Sequence, residues 1–354
     1  MKRKKVSELA KQIRGVSYKT EDLHENLDEN SVTLLRANNI FEGRINFDDV
    51  VYVDKSRVAR EQYLCKGDIL VCASSGSKQL VGKAASFNFD TECTFGAFCK
   101  VVRPNQDVAN YLSMYFQSNA YRRKISEVAI GANINNIRNE HIDALELPIG
   151  SNAENEKVVA SFSLLQQIID GRKQQLHKLD ELIKSRFIEL FGDPVLNQHG
   201  WRKVALEVNA TLLNGRAYKQ DELLDSGKYP VLRVGNFFSN RGWYYSDLEL
   251  DDDKYCDNGD LLYAWSASFG PQIWNGGKVI YHYHIWKVLV GEAYNKQFLC
   301  KLLEYATESL MGDSHGIAMM HLTKSGMEKT EFIVPPIEQQ EQFAAFVEQT
   351  DKSK

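Results

Sequence analysis

Apolar residues recur at alternating steps of three and four through one long segment in the middle of the chain. This heptad spacing predicts an α-helix over about residues 155–191. Gly192 and then Pro194 follow the segment, which is typical of a helix end. A helix of this length is about 55 Å long, and its apolar face needs a partner helix. The seam consists of Val158, Phe162, Leu165, Ile169, Arg172, Leu176, Leu179, Ile183, Arg186 and Leu190.

Shorter apolar runs, bounded by Gly, Asp or Pro, lie on both sides of this helix. Runs of this length predict β-strands, and the longer amphipathic segments between them predict helices. We expect strands at 50–53, 69–72, 98–102, 260–265, 278–281 and 285–290, and helices at 111–125 and 295–310. Both flanking regions are therefore predicted to have a mixed α/β (α+β) fold.

The two flanking regions repeat the same short motifs in the same order. Residues 15–23 and 215–223 both begin with Gly, carry Tyr-Lys at the fourth and fifth positions and end in Leu. The other matched blocks are 34–40 with 231–237, 66–70 with 258–262, 82–83 with 277–278, Gly131 with Gly316, and 153–162 with 337–346. The offset drifts from 200 to 184, as loop insertions and deletions would produce. The pattern predicts two domains of one kind, and we expect such a protein to bind something twice.

These patterns divide the chain into four segments. Residues 1–152 and 193–336 are the two α/β domains, residues 153–192 the central helix, and residues 337–354 a short distal helical region. The distal region repeats the start of the central helix, but its about 17 residues span only roughly 24 Å. We therefore expect most of the central seam to lack a partner helix within this chain.

Composition narrows the classes of function. The 354 residues carry a net charge of −4, which argues against binding nucleic acid by bulk charge but not by local basic patches. No apolar run reaches the roughly 18 residues that suggest a membrane span. The six cysteines form no Cys-x-x-Cys pair, which argues against a zinc site and predicts a reducing, cytoplasmic location.

Motifs for catalysis or metal binding are weak. Residues 76–84 resemble a phosphate-binding loop, but five residues separate Gly76 from Gly82, and Ala84 stands where that motif has Ser or Thr. His282 and His284 share one strand face without a visible third ligand. We therefore predict no catalytic residue, no metal site and no cofactor in this chain.

Three features together resemble the specificity subunit of type I restriction–modification systems. They are the central run at 178–194, the Gly-Asp-Ile-Leu and Gly-Asp-Leu-Leu blocks at 67–70 and 259–262, and the Pro-Pro-Ile-Glu-Gln-Gln segment at 335–340. The resemblance covers essentially the whole chain. It implies that each α/β unit is a target-recognition domain and that the helical regions form an antiparallel coiled coil, which spaces the domains along DNA.

The resemblance also implies the partners. They are double-stranded DNA, two modification (methyltransferase) subunits docked on the helices, and a restriction and translocation subunit. S-adenosylmethionine, ATP and Mg²⁺ are expected only in the partner subunits, because the specificity subunit of this family is not catalytic. The candidate contacts with the modification subunits are Arg172, Leu176, Leu179, Ile183, Arg186 and Leu190.

Basic residues are the candidates for contacts with DNA phosphates, which carry no sequence information. Cations that recur in both copies are the stronger ones, and a solvated surface charge is the alternative for each. For a basic cluster at a helix end, a favourable interaction with the helix dipole is a further alternative. The candidates are Lys19 with Lys219, Arg36 with Arg233, Arg122, Arg123 and Lys278.

Residues that differ between the copies are the candidates for base recognition, because the two half-sites would differ. They lie in the loops after the repeated Gly-Asp strands and in a polar segment late in each domain. Asn suits adenine and Arg suits guanine in the major groove, and helix capping is the alternative for the Asn residues. The candidates are Ser74, Ser75, Ser77, Lys78, Asn133, Asn135 and Arg138 in the first copy, and Trp265, Ser266, Ser268 and His321 in the second.

The sequence favours a non-catalytic DNA-specificity subunit for a bipartite, asymmetric target, which directs methylation and restriction by partner subunits. One alternative is a truncated or phase-variable specificity subunit that must dimerise to complete its scaffold. A coiled-coil interaction protein without a DNA role is a second alternative, and a self-contained nuclease or methyltransferase is a third.

Overall fold

Two compact units make up the chain, Met1–Asp170 (unit 1) and Gly171–Lys354 (unit 2). The structure is a computed structural model. The backbone is described for residues 2–76, 80–131, 136–239, 242–266, 268–312 and 323–354. Side chains are described throughout these ranges except at 129–131 and 308–312.

Unit 1 combines two four-stranded sheets with short helices. Its strands and helices are β1 Lys2–Lys5, α1 Val6–Leu9, β2 Ala10–Arg14, β3 Leu23–His24, β4 Ser31–Leu35, β5 Ile40–Phe41, β6 Arg44–Ile45, β7 Val51–Asp54, β8 Asp68–Cys72, β9 Ala84–Phe87, β10 Cys93–Phe95, β11 Cys99–Pro104, α2 Ala109–Gln117, α3 Asn119–Gly131, α4 Asn139–Asp143 and β12 Glu146–Ile149. The sheet β2-β11-β8-β9 is antiparallel throughout. In the sheet β10-β4-β7-β3, strands β10 and β4 run parallel, and β1 pairs with β12 outside both sheets.

The antiparallel sheet of unit 1 separates two hydrophobic layers. Successive residues of a strand point to opposite faces. Ile69 and Val71 of β8 pack with α2 and α3, whereas Leu70 and Cys72 pack with residues of the second sheet. Because both faces are covered, β8 is a continuous apolar run instead of an alternating one.

The helix expected at 111–125 is two helices, because the chain bends at Ser118. This residue has an extended backbone, with φ −77° and ψ 151°. Its side-chain oxygen accepts the N–H of Tyr121 at 3.2 Å, as an N-cap serine does at the start of a helix. The cap therefore ends α2 and begins α3.

Unit 2 repeats this architecture. Its elements are β13 Lys203–Ala205, α6 Leu206–Asn209, β14 Ala210–Asn214, β15 Tyr229–Leu232, α7 Val234–Phe238, β16 Tyr244–Ser246, β17 Tyr255–Cys256, β18 Leu261–Ser266, β19 Ser268–Ile273, β20 Val279–Tyr281, β21 Ile285–Val290, α8 Lys296–Gly312, α9 Lys324–Lys329, β22 Glu331–Ile333 and α10 Ile337–Asp351, and α5 Asn152–Phe191 precedes them. The antiparallel sheet β14-β21-β18-β19 matches β2-β11-β8-β9. The sheet β16-β15-β20-β17 contains a parallel pair, β15 and β20, that matches β4 and β10. The mixed fold and the duplication expected from the sequence are both confirmed.

The shared glycines mark a close approach of two backbones. A Cβ on Gly15 would overlap the carbonyl oxygen of Gly96, and one on Gly215 would overlap that of His282. Parallel bridges run beside both points, from Val16 to Gly96 in unit 1 and from Arg216 to His282 in unit 2. Each copy therefore needs Gly at this position for a steric reason.

The repeated Gly-Asp block is a turn that starts a strand. Gly67 and Gly259 both have φ +86°, in the left-handed region that favours Gly. A carboxylate oxygen of Asp68 and one of Asp260 each accept the N–H of the residue three positions earlier, both at 2.8 Å. We call β8 and β18, which follow these turns, the Gly-Asp strands.

The sequence match of Gly82-Lys83 with Gly277-Lys278 was wrong. Gly82 and Lys83 precede β9, whereas Gly277 and Lys278 precede β20, which belongs to the other type of sheet. The counterpart of β9 is β19, which returns directly from β18 in a tight hairpin with Ser266 paired to Ser268. The long loop of unit 1 has no equivalent there, so the sequence match fell on the wrong strand.

The long helix α5 begins in a capping box and ends at a glycine. The N–H of Ser151 donates to the Glu154 carboxylate at 2.8 Å, and the N–H of Glu154 lies 3.4 Å from the Ser151 hydroxyl. Gly192, with φ +70°, follows the last helical residue. The helix has 40 residues, slightly more than the heptad pattern predicts.

The last turns of α5 lie in the core of unit 2. Phe187 and Phe191 are fully buried. The Phe187 ring centroid is 5.5 Å from that of Phe298 on α8 and 5.5 Å from that of Phe343 on α10. The short C-terminal helix therefore packs on this end of α5 and on α8, as part of a globular core.

Candidate nucleic-acid interface

Lys19 and Lys219 occupy the same turn of the two units. The backbone N–H of Lys19 donates to Asp22 at 2.7 Å, and that of Lys219 donates to Glu222 at 2.8 Å. Both side chains are exposed, and the Lys19 ammonium lies 3.1 Å from Glu21. An exposed cation on a hydrogen-bonded turn suits a phosphate contact.

Arg36 and Arg233 also correspond, although their side chains have different surroundings. The backbone carbonyl of each accepts the N–H of the Asn three residues later, at 3.0 and 2.8 Å. The Arg36 guanidinium forms an ion pair with Asp49 at 3.0 Å. Arg233 lies over the ring of Tyr244, at 5.1 Å from its centroid. The two arginines thus share a backbone position, but their guanidinium groups contact different kinds of side chain.

A surface cleft of about 660 Å³ brings several unit 1 candidates together. Its lining includes Val16, Tyr18, Arg36, Ser74, Ser75 and Phe98. The Nε of Arg36 is buried and has no hydrogen-bond partner among the residues that the structure describes. Ser77 and Lys78 lie outside the described residues. The cleft therefore joins a predicted phosphate contact to two predicted base contacts.

The basic residues of α3 have unlike positions. The Arg122 guanidinium donates to the carbonyl of Val81 at 2.6 Å, which ties α3 to the turn before β9. Arg123 is exposed. Arg122 therefore has a structural role in unit 1, while Arg123 faces solvent.

The polar segment late in each domain is only partly described. Asn133, Asn135 and His321 lie outside the described residues. Arg138 is exposed, and its guanidinium is 3.4 Å from the Glu140 carboxylate. A contact this exposed is weak, and Arg138 stays a predicted DNA contact.

Trp265 ends the strand expected at 260–265, and Ser266 and Ser268 were expected in the loop after it, but all three belong to the hairpin of β18 and β19. Trp265 and Ser266 end β18, and Ser268 begins β19. The Trp265 indole N–H donates to the carbonyl of Tyr283 at 2.8 Å. Its ring stacks on Trp286 at 5.8 Å with an interplanar angle of 20°. β18 therefore ends one residue beyond the predicted strand, and it pairs with β19 up to Ser266 and Ser268.

A ring cluster surrounds the end of this hairpin in unit 2. The ring of His284 is 5.0 Å from Trp265 and 4.0 Å from Tyr283, which is itself 4.5 Å from His282. Burial, together with the charges of His284 and Arg233, lowers the pKa of His282 to about 4. The His282 imidazole is therefore neutral at pH 7, with one donor and one acceptor nitrogen.

Lys278 is exposed beside an aromatic ring. Its ammonium nitrogen is 4.4 Å from the centroid of Tyr255, within the range of a cation–π contact. Lys278 remains a candidate phosphate contact, but the match to Lys83 was wrong, and the strand registers place Glu92 at the corresponding position of unit 1.

Two further features were missed in the sequence. Arg216 forms two hydrogen bonds with the Glu222 carboxylate, at 2.7 and 2.9 Å, and this pairing lowers the pKa of Glu222 to about 2. The signal was available, since Arg216 replaces Val16 inside the best-matched block. Phe98 is strongly exposed, but its position at the start of an apolar run suggested a strand.

Three of the six candidate partner contacts on α5 are used inside unit 2. Ile183 is buried and Leu190 is partly buried in its core. The Arg186 guanidinium lies 5.9 Å from the centroid of Phe346 on α10. The remaining candidates, which are exposed or half-buried, are Arg172, Leu176 and Leu179.

Among the residues that the structure describes, no three His, Cys, Asp or Glu side chains are arranged to hold a metal ion. Within the same ranges, no helix is both long and apolar enough to cross a membrane. Burial raises the pKa of the Cys72 and Cys93 thiols to about 11, so both are protonated at neutral pH.

Comparisons with known proteins agree over most of the chain. The family model described as the type I restriction modification DNA specificity domain matches residues 1–181 and 199–354. The specificity subunit of the type I restriction enzyme StySPI from Salmonella potsdam is 34% identical over 279 residues, which is 73% of this chain and 59% of that protein. The EcoKI specificity subunit from Escherichia coli is 34% identical over 281 residues, which is 73% of this chain and 60% of that protein.

A solved structure shares the fold. The crystal structure of the S subunit of the type I restriction–modification system from M. genitalium has a TM-score of 0.51 and 14% identity, and the match covers 99% of this chain and 89% of that one. The chain spans about 60% of the length of the two curated relatives. Since the family model covers both units, this chain belongs to the family of type I restriction–modification DNA specificity proteins.

Proposed function

We propose that the chain is a DNA-specificity subunit that recognises a bipartite, asymmetric target, with one half-site for each unit. This proposal rests on one observation, that the two units share the same backbone turns while the side chains beside those turns differ. Lys19 and Lys219 hold the same place in the same turn. Beside that frame, unit 1 has Ser74 on a cleft, whereas unit 2 has the ring of Trp265. Equal cations suit phosphates and unequal surfaces suit different base pairs.

We further infer that catalysis belongs to partner subunits. These would be two modification subunits and a restriction and translocation subunit, which would hold S-adenosylmethionine, ATP and Mg²⁺. The α5 helix supports docking, because an apolar stripe runs along the part of it that belongs to unit 1. Every side chain of this stripe is at least 50% exposed. The stripe is formed by Leu164, Leu165, Ile168 and Ile169. Contiguous exposed apolar surface is typical of a protein contact site.

The methylated motifs of the host genome test the proposal. They would be read by single-molecule sequencing in the host, in a strain without this gene, and in the deleted strain complemented with it. We expect one bipartite motif with methylated adenine to vanish on deletion and to return on complementation. An identical set of motifs in all three strains would contradict the proposal.

A further inference from the structure

The two units place a short turn at the same point of their frames. The turns are residues 96–99 in unit 1 and 282–285 in unit 2. The first N–H of each turn donates to the last residue of β4 or β15, at 3.0 and 2.9 Å, and the last N–H donates back to the first carbonyl, at 2.8 and 2.9 Å. The third residue is Phe98 in unit 1 and His284 in unit 2. Because the bonds match one by one, these two residues correspond.

The carbonyl of the third residue is hydrogen-bonded to the residues directly after β8 in unit 1 and to the end of β18 in unit 2. The carbonyl of Phe98 accepts the N–H groups of Ala73 and Ser74, at 2.9 and 3.0 Å. The carbonyl of His284 accepts the N–H of Trp265 at 3.0 Å. The turn therefore lies against the predicted base-recognition residues and is held there by backbone hydrogen bonds.

Phe98 presents its ring to solvent from this fixed turn. The residue is 72% exposed, and it lines the same cleft as Arg36 and Ser74. A single exposed apolar residue is ordinary on a protein surface. Phe98 differs because its ring stands on a hydrogen-bonded turn and shares a cleft with the Arg36 cation and the Ser74 hydroxyl. A cation suits the phosphates of DNA, and an apolar ring suits the apolar groups on base edges.

Unit 2 carries aromatic groups at the same point by a different route. Tyr283 is 39% exposed, and its ring contacts His284 and His282. Arg233 is again the nearby cation, because it directly follows Leu232, whose carbonyl accepts the N–H of His282 at 2.9 Å. The two units thus share an aromatic turn beside a corresponding arginine, although the residues of the turn differ.

We propose that this turn contacts base edges of the target DNA in both units, through Phe98 in unit 1 and through Tyr283 and His284 in unit 2. The inference rests on the proposed function and adds a recognition element that lies outside the loops after the Gly-Asp strands. A ring on such a turn reaches apolar groups in the major groove, such as the methyl group of thymine. The neighbouring arginine holds the phosphate backbone.

The experiment uses the full chain with its modification subunits in the complemented host. Phe98→Ala and the double variant Tyr283→Ala with His284→Ala are each compared with the wild type. We expect each variant to relax or lose recognition in one half of the bipartite motif, and the two variants to affect opposite halves. Binding to a duplex with the wild-type motif should weaken by roughly 5- to 100-fold, as for loss of one base contact. For Phe98→Ala the salt dependence of binding should stay unchanged, because that substitution removes no charge.

Two controls separate contact from folding. Phe41→Ala removes a ring that is 59% exposed but lies in the β5–β6 hairpin, whose Arg44 pairs with Asp170 on α5. This variant should keep the wild-type motif, and so should Phe98→Tyr, which keeps the ring. Thermal unfolding of Phe98→Ala should match the wild type, since the side chain is mostly in water.

Each other outcome overturns the inference in a recognisable way. If the wild type restores a motif and both turn variants keep it with full affinity, the turn does not contact bases and the proposed function stands. If Phe41→Ala causes the same loss as Phe98→Ala, the effect is not specific to the turn. If the wild type restores no motif at all, the proposed function fails together with the inference.

Discussion

Buried carboxylates show how single residues fix the frame of each unit. Asp68 is 1% exposed and accepts hydrogen bonds from Arg103 at 2.6 and 2.7 Å, besides the N–H that closes its turn. Its counterpart Asp260 closes the same turn, but it pairs with Lys287 at 2.7 Å and keeps part of its surface in water. The same repeated Asp therefore contributes differently to the stability of each unit.

Asp68→Ala should destabilise the protein by about 3–5 kcal/mol, because it leaves the largely buried Arg103 charge without its partner. Asp260→Ala should cost less, about 1–2 kcal/mol, because the Asp260 carboxylate is 26% exposed and its ion pair is already partly screened by water. Urea unfolding of the two variants, followed by circular dichroism, measures the difference. Equal losses would show that the pair with Arg103 adds nothing beyond the turn.

The Arg216–Glu222 pair gives unit 2 a pH dependence at low pH. The folded-state pKa of Glu222 is about 2, below the usual value of about 4.3 for this group in an unfolded chain. Its contribution to stability is therefore complete above that usual value and is lost as the pH falls towards 2. Glu222→Gln should lower the Tm at pH 7 and leave it close to that of the wild type at pH 2. A Tm difference that is constant from pH 7 to pH 2 would contradict this.

At the scale of elements, packing decides which part of α5 stays exposed to solvent. The heptad seam is uniform in the sequence, yet its C-terminal end is buried under α8 and α10 while the leucines of its first half remain exposed. Helical propensity is also uneven along α5, since Gly171 stands within it. Helix interiors disfavour Gly because of its backbone entropy.

Gly171→Ala should therefore stabilise the protein, by about 0.5–1 kcal/mol. A Cβ at this position meets nothing within 4 Å among the described atoms. Gly215→Ala is the matched control, and it should destabilise because its Cβ would overlap the backbone at His282. Thermal unfolding of the two alanine variants should shift in opposite directions. A shift of the same sign would show that the approach at Gly215 relaxes without cost.

The two ends of α5 should also respond differently to truncation. Phe187→Ala should cost about 3–5 kcal/mol, because it removes a fully buried ring from a close-packed core. Leu165→Ala, at a residue that is 59% exposed, should change stability by less than about 0.5 kcal/mol. The same leucine variant should weaken binding of the modification subunits in a pull-down from the complemented host. Unchanged binding would exclude this part of the helix from the docking surface.

At the scale of the whole molecule, the duplicated frame separates affinity from specificity. The cations that recur in both units lie on matched turns, whereas the aromatic and polar residues beside them differ. A net charge of −4 gives no general attraction to DNA, so binding has to come from such local groups. Affinity would then be set by both units together and sequence choice by each unit separately.

Lys19→Ala and Lys219→Ala test this division. Each should lower the slope of log affinity against log salt concentration by about 1, the value for one phosphate contact. Neither should change the recognised motif, because the lysines carry no base information. Fluorescence anisotropy at several salt concentrations measures the slope. A change of motif in either variant would move that lysine into the group of base contacts.

Much of this protein follows from the sequence because the relevant physics is local. Heptad spacing, the Gly-Asp turns and the repeated Gly15 and Gly215 are short-range patterns, and they predict the long helix, the mixed fold and the two copies that the structure has. Tertiary structure alone decided which strand corresponds to which, because hairpin length differs between the copies. It also decided that Phe98 faces water while Phe187 lies in a core. Burial depends on neighbours that are distant in the chain, and no pattern within a short window contains them.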